Sequence, residues 1–170
     1  MGHNYADRQI QSETIRWMTK FDGRMQLAVT LTFKDYVRPF RPDGSQGFQG
    51  LTPDLAWKTH NQFVARVNEA LFGHAARRYD KTIICLPMLH GESTDKRLHL
   101  HCAIGDIPNH ALAKFEGIAR NAWKATMFGW DQVHFQWYRD EGWLRYMNHE
   151  LTAGGMDFGW QHLAVGSQAL

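Results

Sequence analysis

Apolar and polar residues alternate along this chain with two different periods, and the switches between them predict its elements. Over 6–22, Ile10, Ile15, Trp17, Met18 and Phe21 recur among polar residues in an imperfect helical pattern, predicting a helix over one edge of the domain. Over 27–33 the period drops to two. Val29, Leu31 and Phe33 fall on one side of a predicted strand and Thr30 and Thr32 on the other, wetter side. Pro39, Pro42, Gly44, Gly47 and Gly50 argue against regular structure over 34–51, predicting a mobile loop made basic by Lys34, Arg38 and Arg41. Thr52 before Pro53 and Asp54 is a helix start, and Trp57, Phe63, Val67 and Leu71 mark its apolar side as far as Gly73. Strands follow at 82–89 and 97–104, with the turn near Asp95. Asn109 is placed as the cap of a helix that carries Leu112, Phe115, Ala119 and Ala122 and runs to about Met127. A short strand at 133–137 and a helix from Glu141 to about Leu151, stopped by Gly154 and Gly155, complete the pattern. This order predicts an α+β fold: an antiparallel central sheet with helices packed mainly on one face.

Composition adds bounds. A chain of 170 residues, 44% hydrophobic, suits one compact core rather than disorder. The expected division is an N-terminal helical extension (1–26), the main domain (27–155) and a C-terminal tail (156–170). A formal charge of +2 neither requires a polyanionic partner nor opposes one. Cys85 and Cys102 fall on the two predicted central strands, where free thiols behave as small apolar residues, which suits a reducing compartment. No apolar run reaches the ~20 residues of a membrane span, and the start lacks the charged and apolar regions of a signal peptide. A cytoplasmic protein that does not engage membranes is expected.

The candidate chemistry lies on the central strands. His99 and His101 flank Leu100, so a strand points both imidazoles the same way. If the turn centres between Thr94 and Asp95, His90 lies across from His99 and Met88 from His101, and three imidazoles share one face. Leu89, Leu98, Leu100 and Cys102 then take the face that helices bury, so the histidines need no place in the apolar core. A slip of one residue would substitute Glu92 for His90. Nitrogen-rich ligation favours Mn²⁺, Co²⁺, Ni²⁺ or Zn²⁺ over Mg²⁺, and such an ion can polarise a phosphoryl oxygen. Tyr146 is the candidate nucleophile, with His149 and Glu150 three and four residues on along its helix, placed to assist deprotonation or touch the metal. Tyr36, Tyr79 and Tyr138 read as structural.

Three segments carry a resemblance. His99-Leu100-His101 resembles the His-hydrophobe-His motif of HUH single-strand endonucleases, the rolling-circle replication initiators with related relaxases and transposases. The stretch 27–33 resembles their first motif, and Tyr146-Met147-Asn148-His149-Glu150 their catalytic tyrosine motif, in the same order. The resemblance implies a ferredoxin- or RRM-like sheet holding a divalent ion, Mn²⁺ or Mg²⁺ foremost, with Tyr146 as nucleophile and His149 beside it. It further implies cleavage of single-stranded or hairpin DNA, leaving a covalent 5′-phosphotyrosine and a free 3′-hydroxyl, with no nucleotide cofactor. This chain has His90 where such initiators commonly supply a carboxylate, and His149 where their tyrosine motif often has lysine. Lys34, Arg38, Arg41, Lys96, Arg97 and Arg145 are candidate phosphate contacts, and Phe40, Phe48 and Trp160 candidate stacking surfaces. Without a helicase-type phosphate loop, unwinding would fall to a host helicase. The alternatives are a binding domain of the same fold without turnover, and a three-histidine zinc hydrolase that needs no tyrosine.

Overall fold

In chain order, the computed structural model begins with α1 (Tyr5–Met18), which passes through a 3₁₀ turn (Thr19–Arg24) into β1 (Met25–Phe33). It describes residues 5–91, 97–151 and 159–165. The small strands β2 (Tyr36–Val37) and β3 (Gln49–Gly50) precede the long helix α2 (Pro53–Phe72) and the short α3 (His74–Arg78). Next come β4 (Ile84–His90), β5 (His99–Gly105), α4 (Asn109–Leu112), α5 (Phe115–Lys124), β6 (Gly129–Trp137) and α6 (Gly142–Met147). The main sheet has the order β4-β5-β1-β6, antiparallel throughout. With α2 linking β1 to β4 and α5 leading into β6, this is the split β-α-β-β-α-β arrangement of ferredoxin-like domains. The α+β class expected from the sequence is the one observed.

Alternation in β1 decides where the core sits. Val29, Leu31 and Phe33 join Leu89, Leu100, Cys102 and Ile104 under Trp57, Phe63 and Val67 of α2 and Phe115 and Trp123 of α5. Burying each such aliphatic or aromatic side chain stabilises the fold by roughly 1.5–3 kcal/mol. Thr52 caps α2 as expected, accepting from the Leu55 N–H at 3.3 Å.

The opposite face is less open than expected. Met18 and Phe21, from the amino-terminal segment, and Leu144, Met147 and Leu151 cover Ile84, Leu86, Met88 and Ala103 in a second, smaller core. Gln11 of α1 donates to the Leu151 carbonyl at 2.7 Å, and Asn148 packs on Met18.

Five local expectations are corrected. The segment 34–51 contains a two-stranded ribbon, because Tyr36 stacks on Phe48 (centroids 5.2 Å apart) and the prolines and glycines fall at turn positions. At its tip, Arg41 N–H donates to Ser45, and Gly44 takes a φ of 81° open to glycine. The helix expected from Asn109 to Met127 is broken: the Lys114 N–H bonds back to Ala111, a tightened turn that separates α4 from α5. Asn109 is the first helical residue, not a cap. The last strand starts early, at Gly129, which tucks against the Trp123 carbonyl where no Cβ would fit. The last helix ends at Met147: the Asn148 N–H and its side-chain amide both donate to the Leu144 carbonyl, and the His149 N–H then bonds back only three residues, to Tyr146. Gly154 and Gly155 lie outside the described residues.

Residues 159–165 dock on the domain. His162 stacks on Trp57 at 4.9 Å and Ala164 bridges Cys85 at the edge of β4. Among the described residues, no helix is long and apolar enough to cross a membrane.

Candidate metal centre beside Tyr146

The register of β4 and β5 sets His90 opposite His99 and Met88 opposite His101, as the turn placement implied. Across the other edge of β5, Thr30 lies opposite His101 and Thr32 opposite His99. The imidazole centroids are 4.6 Å apart for His90 and His101, 4.8 Å for His99 and His101, and 5.5 Å for His90 and His99. One ring nitrogen from each lies within 4.8 Å of the other two. Glu92, the substitute third ligand, lies outside the described residues.

Hydrogen bonding leaves one nitrogen per ring for an ion. His90 donates from Nε2 to the Met147 carbonyl at 2.6 Å, which puts its lone pair on Nδ1. That buried Nδ1 makes no hydrogen bond among the described residues. His99 donates from Nδ1 to the Arg97 carbonyl at 2.9 Å, and Nδ1 of His101 sits 2.9 Å from Thr30 Oγ1, leaving Nε2 of both. Metal-binding imidazoles are commonly oriented in this way, through the nitrogen that does not bind the ion. An orphaned buried lone pair beside two oriented imidazoles fits a divalent first-row ion.

The two inner imidazoles are held neutral. His90 is only 1% exposed and His101 5%. Burial pushes His101 down to about 3, with the neighbouring imidazoles adding to the effect. Burial likewise pushes His90 down to about 4, against the opposing pull of the Met147 hydrogen bond and Glu150. Histidines expected outside the apolar core are therefore buried at its rim, because the second core reaches them.

Tyr146 stands at this rim, half exposed, with its ring centroid 5.1 Å from that of His101. It stacks between Trp143 at 5.4 Å and His149 at 5.2 Å. His149 lies in the turn after α6, where its Nδ1 contacts the Tyr146 carbonyl, and its ring is 5.1 Å from that of His90. Glu150 accepts from the Gly91 N–H at 3.2 Å, and its other oxygen is 3.5 Å from Nε2 of His149. His90, His149 and Glu150 form a second group whose ligand atoms lie within 4.8 Å of one another. All of the expected site residues therefore meet in one place. The sequence reading missed the orienting groups: Thr30, whose position on the polar side of β1 was a usable signal, and the Met147 carbonyl, which left none.

The expected phosphate contacts separate into two kinds. Arg97 pairs with Asp35 at 2.8 Å and lies over the Trp130 ring, and Arg145 pairs with Glu141 at 2.7 Å. Phe40 and Phe48 stand exposed on the ribbon segment beside Arg38 and Arg41. Trp160 packs edge-on against Trp17 at 4.9 Å. Lys96 lies outside the described residues. Tyr138 is structural, donating to Asp22 at 2.5 Å.

Beside Tyr146, an open groove of about 350 Å³ is lined by Gln136, Trp137, Arg139 and Trp143. Compared with family models, with curated proteins and with solved structures, the chain matches none.

Proposed function

We propose that this chain is a metal-dependent endonuclease and strand transferase of the HUH type, acting on single-stranded or hairpin DNA through Tyr146. The observation that carries the reading is the Tyr146 ring at 5.1 Å from His101, on the wall of a three-imidazole cluster. His90, His99 and His101 would hold the ion. When bound, a divalent ion supplies charge that polarises a phosphoryl oxygen.

The chain's own groups account for the rest. Tyr146 oxygen attacks phosphorus, forming a phosphotyrosine bond while the bond to the 3′-oxygen breaks. The phenolic proton passes to a base, the role assigned to His149, whose ring stacks on that of Tyr146 at 5.2 Å, and a proton returns to the departing 3′-hydroxyl. Attack by a phenol of pKa ~10 needs such help near neutrality. Arg139 and Trp137, lining the groove next to Tyr146, offer a cation for phosphate and a face for an unpaired base. The intermediate conserves the phosphodiester energy, so no nucleotide cofactor is needed. A replication initiator is the role that suits the free 3′-hydroxyl, which can prime synthesis, with unwinding left to a host helicase.

The test is incubation of the full chain with a labelled single-stranded oligonucleotide and Mn²⁺. A denaturant-resistant adduct, lost in Tyr146→Phe, is expected. Binding with no adduct would leave a non-catalytic DNA-binding domain, and cleavage that survives Tyr146→Phe would leave a three-histidine hydrolase. Either result would end the proposal.

A further inference from the structure

A second cluster of metal-binding side chains lies on the other face of the sheet. Cys85 of β4 pairs with Ile104, and Cys102 of β5 pairs with Pro87, so the two cysteines are diagonal neighbours on the face covered by α2. His60 of α2 reaches down to them, its Nε2 3.5 Å from the Cys85 sulfur. All three side chains are fully buried, and their ligand atoms lie within 4.8 Å of one another.

This arrangement is poorly explained as ordinary packing. Burying an imidazole away from water costs free energy that good hydrogen bonds normally offset. Here Nδ1 of His60 has no partner among the described residues, and the Nε2 contact is to sulfur, a weak hydrogen-bonding atom. A disulfide is not the alternative. Diagonal neighbours on antiparallel strands have α-carbons roughly 7–8 Å apart, beyond the usual span of a disulfide. An ion bound tetrahedrally at ~2.3 Å to sulfur and ~2.0 Å to nitrogen separates those two atoms by about 3.5 Å, the spacing found between His60 and Cys85.

We propose that His60, Cys85 and Cys102 form a second metal site, a buried structural one for a thiophilic d¹⁰ ion, Zn²⁺ or Cu⁺. Two thiolates, a neutral imidazole and a water completing the tetrahedron around Zn²⁺ carry no net charge, which suits an apolar interior. Loading releases the two thiol protons. With Cu⁺, the same neutrality is reached when one sulfur keeps its proton, and a three-ligand sulfur-rich set suits that soft ion. The ion ties α2 to the β4–β5 pair directly behind His101, since Cys102 is the next residue along the strand. The site does not depend on the nuclease reading.

The chain has two cysteines, so thiolate-to-metal charge transfer can arise only here. Full-length protein refolded under reducing conditions with Co²⁺ is expected to show a near-ultraviolet thiolate-to-cobalt band. The band should persist in His99→Ala/His101→Ala and disappear in Cys85→Ser/Cys102→Ser. Zn²⁺ should displace the band. In a parallel anaerobic arm, Cu⁺ should survive desalting in wild-type protein and fall to background in the double-serine variant. Sulfur-linked binding in either arm supports the site and identifies the ion class. Folded wild-type protein with neither a cobalt–sulfur band nor retained Cu⁺ overturns it, with no variant needed.

Discussion

The indole N–H of Trp143 donates to the backbone carbonyl of Cys102 at 3.2 Å, tying the helix that carries Tyr146 to the strand that carries His101. Trp143→Phe keeps an aromatic ring beside Tyr146 while removing the N–H donor and part of the indole's packing against Tyr146 and His101. The expected loss is ~1 kcal/mol or more of stability and roughly 10- to 100-fold in the rate of adduct formation, with a smaller fall in Mn²⁺ affinity because the indole also packs edge-on against His101 at 5.3 Å. Denaturation curves, titration calorimetry and a timed adduct assay separate the three quantities. A fall in Mn²⁺ affinity as large as the fall in rate would contradict this division of roles.

Thr30 orients a ligand without being one. Its hydroxyl lies 2.9 Å from Nδ1 of His101, and Thr30→Val replaces it at nearly constant volume. Mn²⁺ affinity is expected to fall about 10- to 100-fold. Calorimetric titration with Mn²⁺ checks this, and wild-type affinity in a folded variant would show that the contact does not orient the ring.

Acid should weaken the metal-free protein before its carboxylates titrate. Burial holds His101 at about 3 and His90 at about 4, against 6.5 for an ordinary imidazole. Between these values the unfolded chain takes up protons that the folded chain refuses. The stability from neutral burial is therefore complete above about pH 6.5 and declines as pH falls toward 4, by at most ~1.4 kcal/mol per pH unit for each histidine. Urea midpoints between about pH 7.5 and pH 5 should drop in the wild type and drop less in His101→Gln. Parallel curves for the two proteins would remove His101 from this account.

Gly129 is a steric requirement. A Cβ there would sit 1.9 Å from the Trp123 carbonyl oxygen and 2.6 Å from Thr126 Oγ1. Gly129→Ala is expected to cost about 3 kcal/mol or more, as forced overpacking in a buried site does. Chemical denaturation measures it, and a loss under ~1 kcal/mol would mean that β6 can start elsewhere.

Much of this could be read from the chain because it rests on local rules. The two-residue period of β1 and an expected turn centre between Thr94 and Asp95 predict which side chains face which way, and the observed pairing of His90 with His99 follows from counting. Thr52 announced its helix through its hydroxyl. What escaped depends on distant partners. The cover over the histidine face is assembled from Met18 and Phe21 at one end of the sequence and Leu144 and Leu151 at the other, and no local pattern joins them. The ribbon at 36–50 combines backbone pairing with an aromatic stack of Tyr36 on Phe48 across a turn-rich segment, a signal that punctuation by proline and glycine conceals. The early end of α6 is a tightening of the backbone at His149, whose N–H bonds to Tyr146, and no apolar pattern marks it.

The bond from Gln11 to the Leu151 carbonyl has a practical corollary. A shortened version cut to the sheet with α2 and α5 would lack α1, and with it the brace on the turn that follows Tyr146. Anyone trimming the gene for expression should keep the opening helix, because the far end of the polypeptide leans on it.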